Sequence, residues 1–211
     1  MVFDQFRFVY VNTDYLRALN EADSEVLFVE NDNYENKPHL GILINCNGYH
    51  YVMPLTSAKE KHKKWRDVTQ TNYRIYEIID IRTAKTDKYD IIVSENDYNK
   101  LRSMGVEVSD FDYFKKRILS VLEIKKMFPV PKNMYTVIDL DTPSNNADTE
   151  QRRILMRKEY FFCRKFMRAI EDKANALYNK QITTGEIQPF CCNYRKLETI
   201  ADAYNVIKSA Q

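Results

Sequence analysis

Glycine and proline are scarce, at four and six of 211 residues. So few glycines leave no GxGxxG turn and no P-loop, which removes the commonest backbone cradles for nucleotide phosphates. Cysteine is sparse too: Cys46, Cys163, Cys191 and Cys192 include no CxxC pair. The adjacent Cys191 and Cys192 suit neither a shared zinc nor an easy mutual disulfide, so the four read as reduced thiols of a cytoplasmic protein. The three histidines, His39, His50 and His62, show no HxxxH spacing, and neither a metal site nor a cofactor is expected. No stretch approaches about 18 uncharged apolar residues. The opening MVFDQFRFVYVN carries charges where a signal peptide has an unbroken apolar run. No membrane partner is therefore expected. Charge of one sign is also missing: 32 Lys and Arg against 30 Asp and Glu give a net of +2. Any nucleic-acid case must rest on where the cations lie.

What is present is a globular pattern rich in aromatics, with fifteen Tyr and eleven Phe. The length fits one domain, or one domain with a sizeable insertion. Alternation over Phe3 to Val11 predicts a strand, and Asn12 or Thr13 caps a helix from Asp14 to about Ala22. His39 to Asn45 and Tyr49 to Leu55 flank Asn47-Gly48, the strongest short-range hairpin signal. Further strands are expected over Tyr73 to Ile81 and Tyr89 to Val93. Tyr98 to Leu101 reads as helix ending at Gly105, and Phe111 to Leu122 has helical spacing. Met127 to Leu140 reads as extended, since Pro129 and Pro131 forbid a helix interior. One long amphipathic helix is expected from about Thr149 to Asn179, with its polar face carrying Arg157, Lys158, Arg164, Lys165 and Arg168, and a last helix from about Tyr194 to Ser209. Strands early and helices late point to an α+β fold: a small, strongly bent antiparallel sheet or open barrel with helices around it.

Chemistry concentrates in Pro54-Leu55-Thr56-Ser57-Ala58-Lys59-Glu60-Lys61-His62-Lys63-Lys64-Trp65-Arg66. A buried strand ends in two adjacent hydroxyls, followed by a cationic cluster with one His and one Trp. Hydroxyls and backbone N–H groups at such an end suit phosphate oxygens, lysines neutralise charge, and Trp65 offers a stacking face for an unpaired base. The plainer alternative is a solvated basic helix capped by Thr56 or Ser57, with Glu60 in its first turn. Lys37 precedes the first hairpin strand. Antiparallel neighbours bring the start of one strand beside the end of the next, so Lys37 can converge with Thr56, Ser57 and Lys59 on one rim. Asp139 and Asp141 read as turn formers rather than ligands.

These residues resemble the ToxN/AbiQ family. The resemblance rests on Tyr34-x-Asn36-Lys37 before Leu40-Gly41-Ile42-Leu43, then Asn47-Gly48-Tyr49-x-Tyr51-x-x-Pro54-Leu55-Thr56-Ser57-x-Lys59-x-Lys61-His62. It continues through the Tyr15-Leu16 helix, the segment ending Asp139-Leu140-Asp141, the long basic-aromatic helix and Cys192-Asn193-Tyr194. The chain departs from it in extra residues at about 81–115 and in Ala58, where many members carry proline. The resemblance implies a single domain over 1–211 with that insertion, a bent-sheet core like that of the Kid/MazF toxins, and a metal-independent endoribonuclease. Such a toxin of a type III toxin–antitoxin, abortive-infection system cuts single-stranded RNA, target mRNA included. It is inhibited by a repeat pseudoknot RNA antitoxin, with which it closes into a ring-like assembly.

On that reading the RNA 2′-OH attacks its own phosphorus. Thr56 and Ser57 hydrogen-bond the scissile phosphate, and Lys37 and Lys59 neutralise it. Tyr34, Lys61, His62, Lys63, Trp65 and Arg66 hold the RNA beyond the cut. Two rivals remain at this stage: a non-catalytic RNA-binding regulator using the same rim, and an interaction scaffold using the basic face of the long helix.

Overall fold

The computed structural model describes residues 7–28, 39–41, 44–46 and 48–207. The first strand, β1 (Arg7–Val11), buries Phe8, Val9 and Val11. Asn12 then caps α1 (Thr13–Ala22), its side chain accepting the Tyr15 N–H, and Tyr15, Leu16 and Leu19 face the core. The expected 39–45 strand is two strands. β2 (His39–Gly41) pairs with β1, whereas β3 (Ile44–Cys46) pairs with β4 (Tyr49–Val52) across the turn at Gly48. Gly48 sits at φ 90°, a left-handed conformation that favours glycine.

Past Pro54 the chain extends again as β5 (Leu55–Ser57), then makes a 3-10 turn over Glu60–Lys64. Next come β6 (Asn72–Asp80), β7 (Asp90–Ile92) and α2 (Glu95–Ser103). The segment from Phe111 to Leu122, expected as a helix, instead supplies β8 (Phe114–Glu123). Its apolar residues mimic helical spacing, but burial runs largely in alternation, as it must where strands pair on both sides. After β9 (Phe128–Pro129) and β10 (Tyr135–Val137), the predicted long helix is α3 (Ala147–Lys165) and α4 (Met167–Thr184), broken at Phe166. The last helix is α5 (Tyr194–Ile207).

All described pairings are antiparallel. They form three sheets, β10-β1-β2, β3-β4-β9 and β5-β8-β6, with β7 also on β8. The described strands therefore make no closed barrel, and the expected single bent sheet is three short ones. The α+β class stands, with the strands and helices sharing one main core. Three buried tyrosines knit it: Tyr15 Oη donates to the Pro129 carbonyl at 2.7 Å, and Tyr51 Oη and Tyr178 Oη both donate to Glu198 Oε1 at 2.7 and 2.8 Å. Val93, Leu101, Phe111 and Phe114 make a separate small core within the segment where extra residues were expected.

Two features position the chemistry. β5 is an edge strand, paired only with β8 among the described strands. α3 packs across β6, β8 and β1, so one face of that helix overlooks the sheet on which β5 lies.

Candidate nucleic-acid interface

The β5–β8 register puts Thr56 opposite Val121 and Ser57 opposite Ser120. Successive residues of a strand leave on opposite faces. Thr56 and Ser57, expected at one rim, accordingly leave β5 on opposite faces of the sheet. Thr56 Oγ1 is half-buried and donates to Glu123 Oε1 at 3.0 Å. Ser57 is exposed and lines a groove of about 890 Å³. Because β5 is paired only with β8 among the described strands, a strand of nucleic acid along its other edge can still be reached from both faces.

Lys59 is exposed at the start of the 3-10 turn. His62 is not the RNA contact expected of it. It is 1% exposed, its Nδ1 accepts the Lys59 backbone N–H at 3.2 Å, and its ring packs on Trp65 with centroids 4.6 Å apart. Burial first, and then the Lys61 ammonium, lower the His62 pKa, so the ring is neutral with Nε2 carrying the proton. His62 thus holds the backbone of Lys59 in place. Lys61 lies over the Trp65 ring at 5.4 Å from its centroid, and Lys63 Nζ donates to the Lys88 carbonyl at 3.1 Å. Lys64 and Arg66 are exposed and Trp65 is half-buried. Lys37 and Tyr34 lie outside the described residues, as do the side chains of His39 and Cys46.

A buried charge network fixes this segment to the sheet. Arg74 donates to the carbonyls of His62 and Lys63 at 3.0 and 3.2 Å and pairs with Asp67. Lys116, 1% exposed, bonds Asp67 Oδ2 at 2.6 Å and Asp97 Oδ2 at 2.8 Å. A buried ammonium between two carboxylates locks geometry more than it adds net stability.

The sheet lines the groove with Leu55, Ser57 and Ser120, Tyr10 and Tyr89 line it too, and α3 contributes Arg152, Arg153 and Glu159. A second depression of about 830 Å³ adjoins it, sharing Phe8, Val137, Ile138 and Asp139 and adding Arg7, Arg157, Arg164 and the exposed Phe161. Arginines and exposed rings along a trough are what a single-stranded backbone with unstacked bases needs. Sequence reasoning missed Ser120, Glu123, Arg152, Arg153 and Glu159. Asp139 does form a turn, its Oδ1 accepting from the N–H groups of Asp141 and Thr142 at 2.8 and 3.2 Å. Cys163, Cys191 and Cys192 are buried free thiols, as expected. Among the described residues no helix is long and apolar enough to cross a membrane.

Comparison with known proteins gives a consistent picture. A family model described as toxin ToxN of type III toxin–antitoxin systems matches residues 7–202. The chain is 27% identical over 208 residues to endoribonuclease ToxN of Bacillus thuringiensis subsp. kurstaki, covering 95% of this chain and 85% of that protein. Its fold is similar to that of a solved type III toxin whose structure concerns selective inhibition by a non-coding RNA pseudoknot, with TM-score 0.65, 23% identity and coverage of 96% and 99%. It is likewise similar to AbiQ, a lactococcal anti-phage endoribonuclease, with TM-score 0.65, 20% identity and coverage of 96% and 99%.

Proposed function

The chain belongs to the ToxN family of type III toxin–antitoxin toxins, and from that premise we propose that it is an endoribonuclease cutting single-stranded RNA at the open edge of β5. The observation that carries this reading is the exposure of Ser57 at the end of an edge strand, with Lys59 exposed two residues on and Ser57 lining a groove that Arg152 and Arg153 also line.

The reaction needs no outside nucleophile. The 2′-oxygen gives up its proton and bonds to the adjacent phosphorus, the bond to the 5′-oxygen breaks, and that oxygen takes a proton. The products are a 2′,3′-cyclic phosphate and a 5′-hydroxyl, with no metal taking part. Ser57, whose hydroxyl faces the groove, donates to a non-bridging oxygen. Lys59, and Lys37 from the preceding segment, neutralise the charge that grows there; a single well-placed donor contributes about 3–4 kcal/mol to such a step. Thr56 has another part. Its one hydroxyl proton is engaged by Glu123, so towards the RNA it presents lone pairs. It accepts from the 2′-OH and orients it rather than donating to the phosphate.

Lys61, Lys63, Trp65 and Arg66 grip the strand beyond the cut, joined by Tyr34 and by the arginines of α3, while His62 acts through the Lys59 backbone. The natural inhibitor is a repeat pseudoknot RNA laid along the same trough, closing with the toxin into a ring-like assembly in the cytoplasm, and the target is mRNA of the cell or of an infecting phage.

Incubating the purified protein with total RNA tests this reading. Discrete cleavage that the antitoxin RNA suppresses is the expected result. Protection or retardation of RNA without cutting would replace it with the RNA-binding regulator.

A further inference from the structure

β5 and β7 share one edge of β8. β5 pairs with Ser120 to Leu122 and β7 with Lys115 to Arg117, while β6 runs along the other edge. Tyr89, the residue just before β7, continues that ladder, its carbonyl accepting the Ile118 N–H at 3.4 Å. Ser57 stands opposite Ser120, two residues along β8 from Ile118. Tyr89 and Ser57 are therefore neighbours on this edge, about 7 Å apart along the strand. Both line the same groove.

The backbone of Tyr89 is locked. Asp87 Oδ1 accepts the Tyr89 N–H at 2.9 Å, and Asp90 Oδ2 accepts the Asp87 N–H at 2.7 Å. Arg117 of β8 grips Asp90 with two bonds, at 2.9 and 3.0 Å, and also donates to the Lys85 carbonyl. Lys63 Nζ bonds the Lys88 carbonyl at 3.1 Å, which joins this turn to the basic segment after Ser57. The exposed Lys88 sets its ammonium over the half-buried Tyr89 ring, 4.9 Å from the centroid. Trp65, the ring expected to stack on a base, already packs on His62.

A ring on a locked backbone loses little freedom when a flat partner covers it. A nucleotide uses both groups at once, its base on the ring and its phosphate on the ammonium. An uncharged apolar partner would leave the ammonium unanswered. Every base has a π-face, so such a contact contributes affinity and position and is indifferent to sequence.

We infer that Tyr89 is the stacking platform for one base flanking the cut, with Lys88 taking the phosphate beside that base. The segment where extra residues were expected thereby becomes part of the substrate site. The inference rests on the ribonuclease reading of Ser57 and Lys59 and adds to it a contact that places the strand.

The test uses a short single-stranded RNA that the wild type cuts once, made as a series in which each nucleotide in turn lacks its base. At one position beside the cut, loss of the base should raise the wild-type KM about tenfold with kcat nearly unchanged. Tyr89→Trp should behave as the wild type does. Tyr89→Leu should show the raised KM on the intact RNA and lose nothing more at that position, because ring and base act as one pair. Lys88→Gln should lower the salt slope of binding by about 0.7, and it carries the test if the Leu variant fails to fold. Equal sensitivity of wild type and Tyr89→Leu at every position, or an unchanged salt slope, would overturn the inference. Binding to the same series with every 2′-hydroxyl methylated repeats the comparison without cleavage. If the wild type cuts no RNA, the ribonuclease reading falls, and this binding series alone decides the platform.

Discussion

Thr56 Oγ1 donates to Glu123 Oε1 at 3.0 Å, from β5 to the end of β8. This bond gives the two adjacent hydroxyls of the Thr-Ser pair different chemistry: one is committed inside the protein, the other faces the groove. Replacing Thr56 by Val should slow RNA cutting by about 10- to 100-fold with little change in KM, whereas Thr56→Ser should keep most of the activity. Glu123→Ala should also slow cutting, and adding it to Thr56→Val should cost little more, because groups in one hydrogen-bonded unit do not act additively. Additive losses in single-turnover kinetics would show that Glu123 and Thr56 act separately.

His62 makes the second prediction. His62→Phe keeps the ring and removes the Nδ1 acceptor, leaving the Lys59 N–H without its partner, so stability should fall by about 1–3 kcal/mol. The pH dependence follows from the lowered pKa. Above about 6.5 the imidazole is neutral folded and unfolded. As pH falls below that value the unfolded chain takes up the proton first, so stability is lost until the depressed folded pKa is reached. Urea melts across pH 4 to 8 should show this loss in the wild type and lack it in His62→Phe.

Glu159 gives the opposite sign. Burial raises its folded pKa to about 7. Below about 4.5 the group is protonated in both states and costs nothing. Between about 4.5 and 7 the unfolded chain ionises first, so stability falls as pH rises, and above 7 the penalty is complete, about 3 kcal/mol. Arg117, Arg152 and Arg153 share the groove with Asp87 and Asp139, and Cys163 feels the Glu159 charge from the next turn of α3. The difference between wild type and Glu159→Gln isolates the one carboxyl from all of these. It should grow with pH across that window, and a flat difference would contradict the assigned burial.

The buried ammonium of Lys116 yields the fourth. Lys116→Met leaves Asp97 facing Asp67 without its counter-ion, and should destabilise the chain by about 3–5 kcal/mol. Because Asp67 also holds Arg74, and Arg74 holds the carbonyls of His62 and Lys63, the surviving folded protein should also bind single-stranded RNA more weakly. Undiminished RNA affinity in a folded Lys116→Met protein would separate the network from the basic segment.

Local signals served well wherever structure is local. The Asn12 cap and the end of α2 near Gly105 were legible, because capping and left-handed glycines are written in a few adjacent residues. β8 was not legible. Phe111, Phe114, Ile118 and Leu122 recur at helical intervals, and only pairing with β5 on one side and β6 on the other decides for a strand. That one misreading hid the partner of Ser57, since Ser120 lies on β8. Likewise nothing near Glu159 marks it off from other charges on a basic helix; what distinguishes it is the sheet beneath. The break at Phe166 carries neither glycine nor proline and has no sequence signature. The Thr-Ser-x-Lys segment was found because its chemistry is contiguous, yet its faces depended on Thr56 and Ser57 being strand rather than helix cap.

The most direct measurement is the cleavage of a single-stranded RNA by the purified wild type and by Ser57→Ala, in excess EDTA, with the product ends resolved. Wild-type cutting that yields 2′,3′-cyclic phosphate and 5′-hydroxyl ends, slowed about 10²- to 10³-fold in the variant, is the predicted result. Equal cutting by the two proteins, dependence on a metal, or 3′-hydroxyl ends would contradict the account.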